Sequence, residues 1–170
     1  MHPDPTHPPF KRFDASPAPE VQVVIEVPWG SFLKRGIDGK VYFVSPLPCP
    51  YNYGAIPAYL GLEGDLLDAV VLGPRLRFGT RKYLRAWGAI TLTDRGQSDD
   101  KLICSELPPT AGQIRRLLRF FRFYAFCKLL LNRWRGRPGR NACEGWCSAG
   151  EALARARPLT DAWAGPVIPF

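Results

Sequence analysis

AGQIRRLLRFFRFYAFCKLLLNRW, residues Ala111 to Trp134, divides the chain into two unlike parts. Ile114, Leu117, Leu118, Phe121, Tyr124 and Ala125 recur at helical spacing, which predicts one long amphipathic helix. Before it lie short β-rich runs. Val21 to Val27 (VQVVIEV) reads as a strand, and an Asp38-Gly39 turn leads into a second strand that ends at Val44, so the two suggest a hairpin meander. Ser45 to Tyr59 carries four prolines and Tyr51-Asn-Tyr-Gly, which predicts a structured loop. Asp68 to Leu72, Lys82 to Thr93 and, after an acidic turn, Asp100 to Ser105 complete about five strands. Beyond the long helix, a Gly/Pro/Arg break at residues 135–140 precedes a second helix expected around Gly145 to Arg157, stopped by Pro158. Strands first and helices afterwards give an α+β fold, a small closed antiparallel sheet packed by two C-terminal helices.

The 170 residues fit one domain with a real core, expected over 21–170, and the Pro-rich segment 1–20 reads as a flexible arm. A composition of 46% hydrophobic and 22% charged residues disfavours whole-chain disorder and coiled coil. The greasiest stretch, Phe120 to Leu131, is too short for a membrane span and carries Arg122 and Lys128. Six prolines in the first twenty residues do not read as a secretory signal, so the expected location is cytoplasmic, with no membrane partner. Five cysteines in such a chain read as reduced thiols. Cys143 and Cys147 are expected on the second helix, and no second pair completes a zinc site. A net charge of +8 favours anionic partners without choosing among them.

The acids are the most informative residues. Of fifteen, six fall in two short clusters: Glu63, Asp65 and Asp68, then Asp94, Asp99 and Asp100. Either cluster alone reads as a solvated acidic turn. Both together in a basic chain read as a cation site, because crowded carboxylates repel unless cations fill the gap. Oxygen donors without nearby His or Cys select Mg²⁺, with Mn²⁺ as the alternative. Lys34, Lys101, Tyr53 and Tyr124 add the ammonium and phenol groups that phosphate chemistry uses.

Val24-Ile-Glu26-Val-Pro, Lys34 with Ile37-Asp38, Pro50-Tyr-Asn-Tyr53-Gly, Gly64-Asp65-Leu-Leu-Asp68, Asp94 through Asp99-Asp-Lys101, and Glu144-Gly-Trp146 resemble, in order, the family I soluble inorganic pyrophosphatases. The acidic signature of that family usually reads Asp-Gly-Asp-Pro-x-Asp and here reads Glu63-Gly-Asp65-Leu66-Leu67-Asp68. The resemblance implies a five-stranded OB-like barrel with helices beside it. It implies Mg²⁺-dependent hydrolysis of pyrophosphate to two phosphates by a metal-activated water, in a homo-oligomer, a hexamer by family expectation. By position, Glu63, Asp68, Asp94 and Asp99 would be metal ligands, and Asp65 would take the proton of the attacking water. Lys34, Tyr53, Lys101 and Tyr124 would contact phosphate, and Glu26 would be an acid at the cavity wall.

The chain also departs from the family pattern. Gly36 stands where a glutamate is usual, Ala125 where a lysine follows the tyrosine, and Cys49 where a cavity tyrosine precedes Pro50. The loop before Pro50 is shorter and lacks the family's phosphate-binding arginine. Two cationic phosphate contacts are thus missing, and Arg35 and Lys128 are the nearby substitutes. Two other readings stay open. One is a catalytically impaired relative acting as a phosphoryl-ligand or interaction module. The other is an OB-fold protein that binds nucleic acid through Arg115, Arg119, Arg122 and the phenylalanines beside them. A solvated cationic face with surplus aromatics buried between subunits is favoured over nucleic-acid binding.

Overall fold

The computed structural model describes residues 17–160 apart from 37, 46 and 138, so most of the expected N-terminal arm lies outside the described residues. Seven strands precede the long helix: β1 (Glu20–Val27), β2 (Leu33–Arg35), β3 (Val41–Val44), β4 (Asn52–Leu60), β5 (Leu66–Val71), β6 (Arg81–Asp94) and β7 (Gln97–Ser105). Then follow α1 (Ala111–Trp134), β8 (Ala142–Cys147), α2 (Ala149–Arg155) and a two-residue β9 (Arg157–Pro158). α1 has the predicted limits. Its start is fixed by Thr110, whose side chain accepts from the Gln113 backbone while the Gln113 side chain accepts from the Thr110 backbone.

β1, β4, β5, β7 and β6 pair in that order, and β1 pairs again with β6, so five strands close into a ring. Four of these pairings are antiparallel, as expected, and one, β5–β7, is parallel. Alternation along each ring strand sends one set of side chains inward. Val23, Ile25, Ile56, Leu67, Ala69, Leu84, Ala89 and Leu102 form that inner core, joined by Ala149 and Ala152 of α2. The opposite faces of β5, β6 and β7 carry Val70, Ile90, Leu92 and Ile103, which α1 covers with Leu117 and Phe121.

Several expectations are corrected. The residues 45–59 do not form a loop: β4 occupies 52–60 and is a ring member. Its ladder to β5 breaks between Ile56 and Leu60, which spares Pro57 from donating a bond it lacks. Gly54 is small because β1 crosses close by: a Cβ there would lie 2.1 Å from the Val24 carbonyl oxygen. Neither neighbour can yield without moving a strand, so Gly54→Ala is expected to cost about 2–3 kcal/mol in urea unfolding. The hairpin is β2 with β3, whereas β1 joins the barrel. Residues 142–147, including Cys143 and Cys147, form strand β8 against β6, leaving only a short second helix. Asp99 and Asp100 stand in strand β7; the turn before it is Arg95-Gly96, both at positive φ.

Candidate active site

The outer face of the ring collects the chemistry. Glu26 on β1, Tyr53 on β4, Asp68 on β5, and Asp99 and Lys101 on β7 are neighbours through the pairings Val27–Tyr53, Ala55–Asp68 and Asp68–Lys101. Strand alternation separates Asp100 from Asp99. Asp100 points to the other side, where Arg155 of α2 donates to both its oxygens (2.8 and 3.0 Å) and Thr91 donates at 2.7 Å.

Glu63, on the turn before β5, reaches toward Asp68 and Asp99, and one carboxylate oxygen of each lies within 4.8 Å of the others. Gly61 leaves room for the Glu63 carboxylate, since a Cβ there would stand 2.9 Å from Oε1. Glu63 Oε2 is buried without a hydrogen-bond partner among the described residues. An orphaned buried oxygen beside two carboxylates is what a hard cation would satisfy, and the three oxygen donors fit one. This trio can hold a metal ion.

The Lys101 ammonium donates to both Asp68 and Asp99 and is nearly inaccessible to solvent. Burial alone would lower its pKa, but the two carboxylates outweigh this and hold it well above the ordinary lysine range. Burial works against the Asp68 carboxylate too, yet Lys101 and Lys34 keep it below its usual range. Asp99 is raised by burial in spite of Lys101. Lys34 and Lys101 stand 5.5 and 5.7 Å from the centre of the Tyr53 ring, and burial pushes that phenol far up. Asp65 sits at the rim of the trio and outside it. Its Oδ1 accepts from the Leu66 backbone at 2.9 Å, and burial raises its pKa.

The remaining predicted residues gather at one side. Asp94, at the end of β6, is not among the trio; Lys128 donates to its Oδ2 at 2.5 Å and Asn132 to its Oδ1 at 3.5 Å. Tyr124 lies half-exposed on α1, stacked on Phe120, with the Lys128 ammonium 5.7 Å from its ring centre. Of the two substitutes, Arg35 turns away to the Phe78 ring, 5.7 Å from its centre, and only Lys128 reaches the acids. The space a side chain at Gly36 would need is filled by the Tyr42 ring, 1.9 Å from a Cβ built there. The pairing of Arg155 with Asp100 escaped sequence reasoning, because nothing in local spacing ties residues 55 positions apart.

The sequence profile described as inorganic pyrophosphatase matches residues 23–126. The chain belongs to the inorganic pyrophosphatase family. The inorganic pyrophosphatase of Saccharolobus solfataricus is 31% identical over 159 residues, 80% of this chain and 87% of that protein. That of Corynebacterium efficiens is 38% identical over 91 residues, 49% of this chain, and the match spans only 58% of that relative's length. Among solved structures, the inorganic pyrophosphatase of Thermus thermophilus superposes with a TM-score of 0.63 at 27% identity, over 84% of this chain and 89% of that one. The five-strand ring with two helices is the OB-like pyrophosphatase fold. No described helix is long and apolar enough to cross a membrane.

In this pyrophosphatase-family chain, burial lifts Glu26 to about pH 7 and Glu63 to about pH 8. A carboxyl raised in this way holds its proton more tightly folded than unfolded. Its stabilising contribution is therefore full below about pH 4.5 and is lost as pH climbs through 7 and 8. For protein stripped with EDTA, stability is expected to fall on the order of 2 kcal/mol between pH 5 and 8.5. Added Mg²⁺ should flatten the curve; thermal melts across that range check both.

Proposed function

We propose that the chain hydrolyses inorganic pyrophosphate to two phosphates with Mg²⁺ as its cofactor and Mn²⁺ as a substitute. The observation that carries this reading is the buried trio of Glu63, Asp68 and Asp99, with its unpartnered oxygen, set directly against Lys101, with Asp65 within electrostatic reach of Asp68 and Lys101. Glu63, Asp68, Asp99 and, at the rim, Asp94 hold divalent cations. When bound, such ions acidify the attacking water and neutralise charge on the phosphoryl oxygens. Asp65, raised by burial yet open at the rim, takes the proton of that water. Lys34, Lys101, Tyr53 and Tyr124 bind and orient the phosphoryl groups, and Glu26 closes the wall beside Lys34. Tyr53 stays a neutral donor throughout, because its ionisation is pushed far above neutrality.

The purified protein is expected to release two equivalents of phosphate per pyrophosphate in Mg²⁺ and none in EDTA. A Mg²⁺-dependent rise in melting temperature without phosphate release would instead mark an impaired relative that only binds. We also propose a cytoplasmic homo-oligomer. Five free cysteines suit a reducing compartment, and Phe123, Phe126, Leu130 and Trp134 form an exposed apolar stripe along α1 suited to burial between subunits.

A further inference from the structure

The buried face of α1 follows a strict period: Ile114, Leu117, Phe121 and Ala125. The next position on that face is Lys128, and one turn further comes Asn132. At an apolar helix's inward positions a lysine is out of place unless something charged faces it. What faces it is Asp94, in contact with Lys128 at 2.5 Å and with Asn132 at 3.5 Å. Arg95 adds a longer contact to Asp94, 3.8 Å. Lys128 thus sits where α1 passes over the end of β6.

Two properties separate Lys128 from Lys101. The Lys101 side chain is only 6% exposed and fixed between two carboxylates, whereas the Lys128 side chain is 32% exposed and has one carboxylate partner among the described residues. Lys128 is also within electrostatic reach of Asp99, Lys101 and Tyr124, so it borders the cation trio. An anion arriving from solvent meets Lys128 before it meets Lys101. Its stem is long and flexible, and the ammonium can leave Asp94 for a neighbouring oxygen by rotamer change alone.

We propose that Lys128 is a substrate-binding residue that exchanges partners: it neutralises Asp94 in the empty site and transfers to a phosphoryl oxygen of pyrophosphate when a divalent cation takes Asp94. This rests on the pyrophosphatase reading. In this chain Lys128 supplies the cationic phosphate contact from one helical turn beyond Ala125. Asn132 keeps the Asp94 carboxylate oriented during the exchange.

The exchange makes two effects of opposite sign. In Lys128→Gln, a competing cation is removed from Asp94, so Mn²⁺ binding measured calorimetrically without substrate should tighten about threefold. The same variant should raise the KM for magnesium pyrophosphate about tenfold, since a charge-assisted hydrogen bond to the anion is lost. Lys128→Arg should return both values toward those of the unaltered protein. A merely structural lysine would weaken both interactions together; weakened Mn²⁺ binding or an unchanged KM in Lys128→Gln overturns the proposal. If the unaltered protein releases no phosphate, the pyrophosphatase reading itself fails. Methylenediphosphonate binding in Mn²⁺ then decides about Lys128: a tenfold loss in Lys128→Gln supports the exchange, and an unchanged affinity refutes it.

Discussion

Lys101→Met should destabilise the metal-free protein by about 3–5 kcal/mol at pH 8, the largest single effect expected in this molecule. The ammonium of Lys101 lies between Asp68 and Asp99, both buried, and all three side chains are nearly cut off from solvent. Methionine fills the same volume, so packing is kept and only charge is removed. Two carboxylates then face each other, with Glu63 close by and the Lys34 charge left to offset them. The loss should shrink toward pH 5, where the acids can take protons in place of the missing ammonium. Mg²⁺ should restore part of it at pH 8 by supplying positive charge to the same oxygens. Urea unfolding at both pH values, with EDTA and with Mg²⁺, checks this. A loss under 1 kcal/mol at pH 8 without metal would mean the acids are far better solvated than their burial indicates.

Asp65→Asn should lower the rate of phosphate release by about 10²- to 10⁴-fold, the usual contribution of a positioned general base. The substitution keeps the shape of the side chain, and its remaining oxygen can still accept from the Leu66 backbone. Asp65 is not one of the three acids whose oxygens converge, so calorimetric Mn²⁺ binding should change less than threefold. Activity lost with cation binding intact identifies the base. A variant that keeps more than a tenth of the activity would move that role to another carboxylate, and equal loss of both properties would make Asp65 a ligand instead.

How much of this was legible in the sequence depends on the distance over which each residue is determined. The limits of α1 follow from its own period and from Thr110 and Gln113, all local, and were read directly. That Glu63 and Asp68 meet Asp99 follows from the need to compensate crowded charge, whereas Asp94 and Asp100 of the second cluster stand apart, held by Lys128 and Arg155. β4 was not readable, because Pro57 and Tyr51-Asn-Tyr-Gly are turn signals nearby, whereas ring closure across Gly54 and a break in the ladder decide their structure. Asp99 and Asp100 look alike in sequence, and only the strand under them assigns one to the acidic trio and the other to Arg155. Lys128 and Asn132 carried a faint signal: polar residues continuing the buried period of α1.

The parallel pairing that sets Asp68 opposite Lys101 has a consequence for biosynthesis. Parallel neighbours cannot be joined by a tight turn, so β5 meets β7 only after β6 has been laid down between them. A nascent chain that ends with β6 at Asp94 holds Glu63 and Asp68 but neither Asp99 nor Lys101. Affinity for dications should therefore emerge late in refolding, with the slow non-local closure of the ring, which makes Mn²⁺ uptake a stopwatch for completion of the fold.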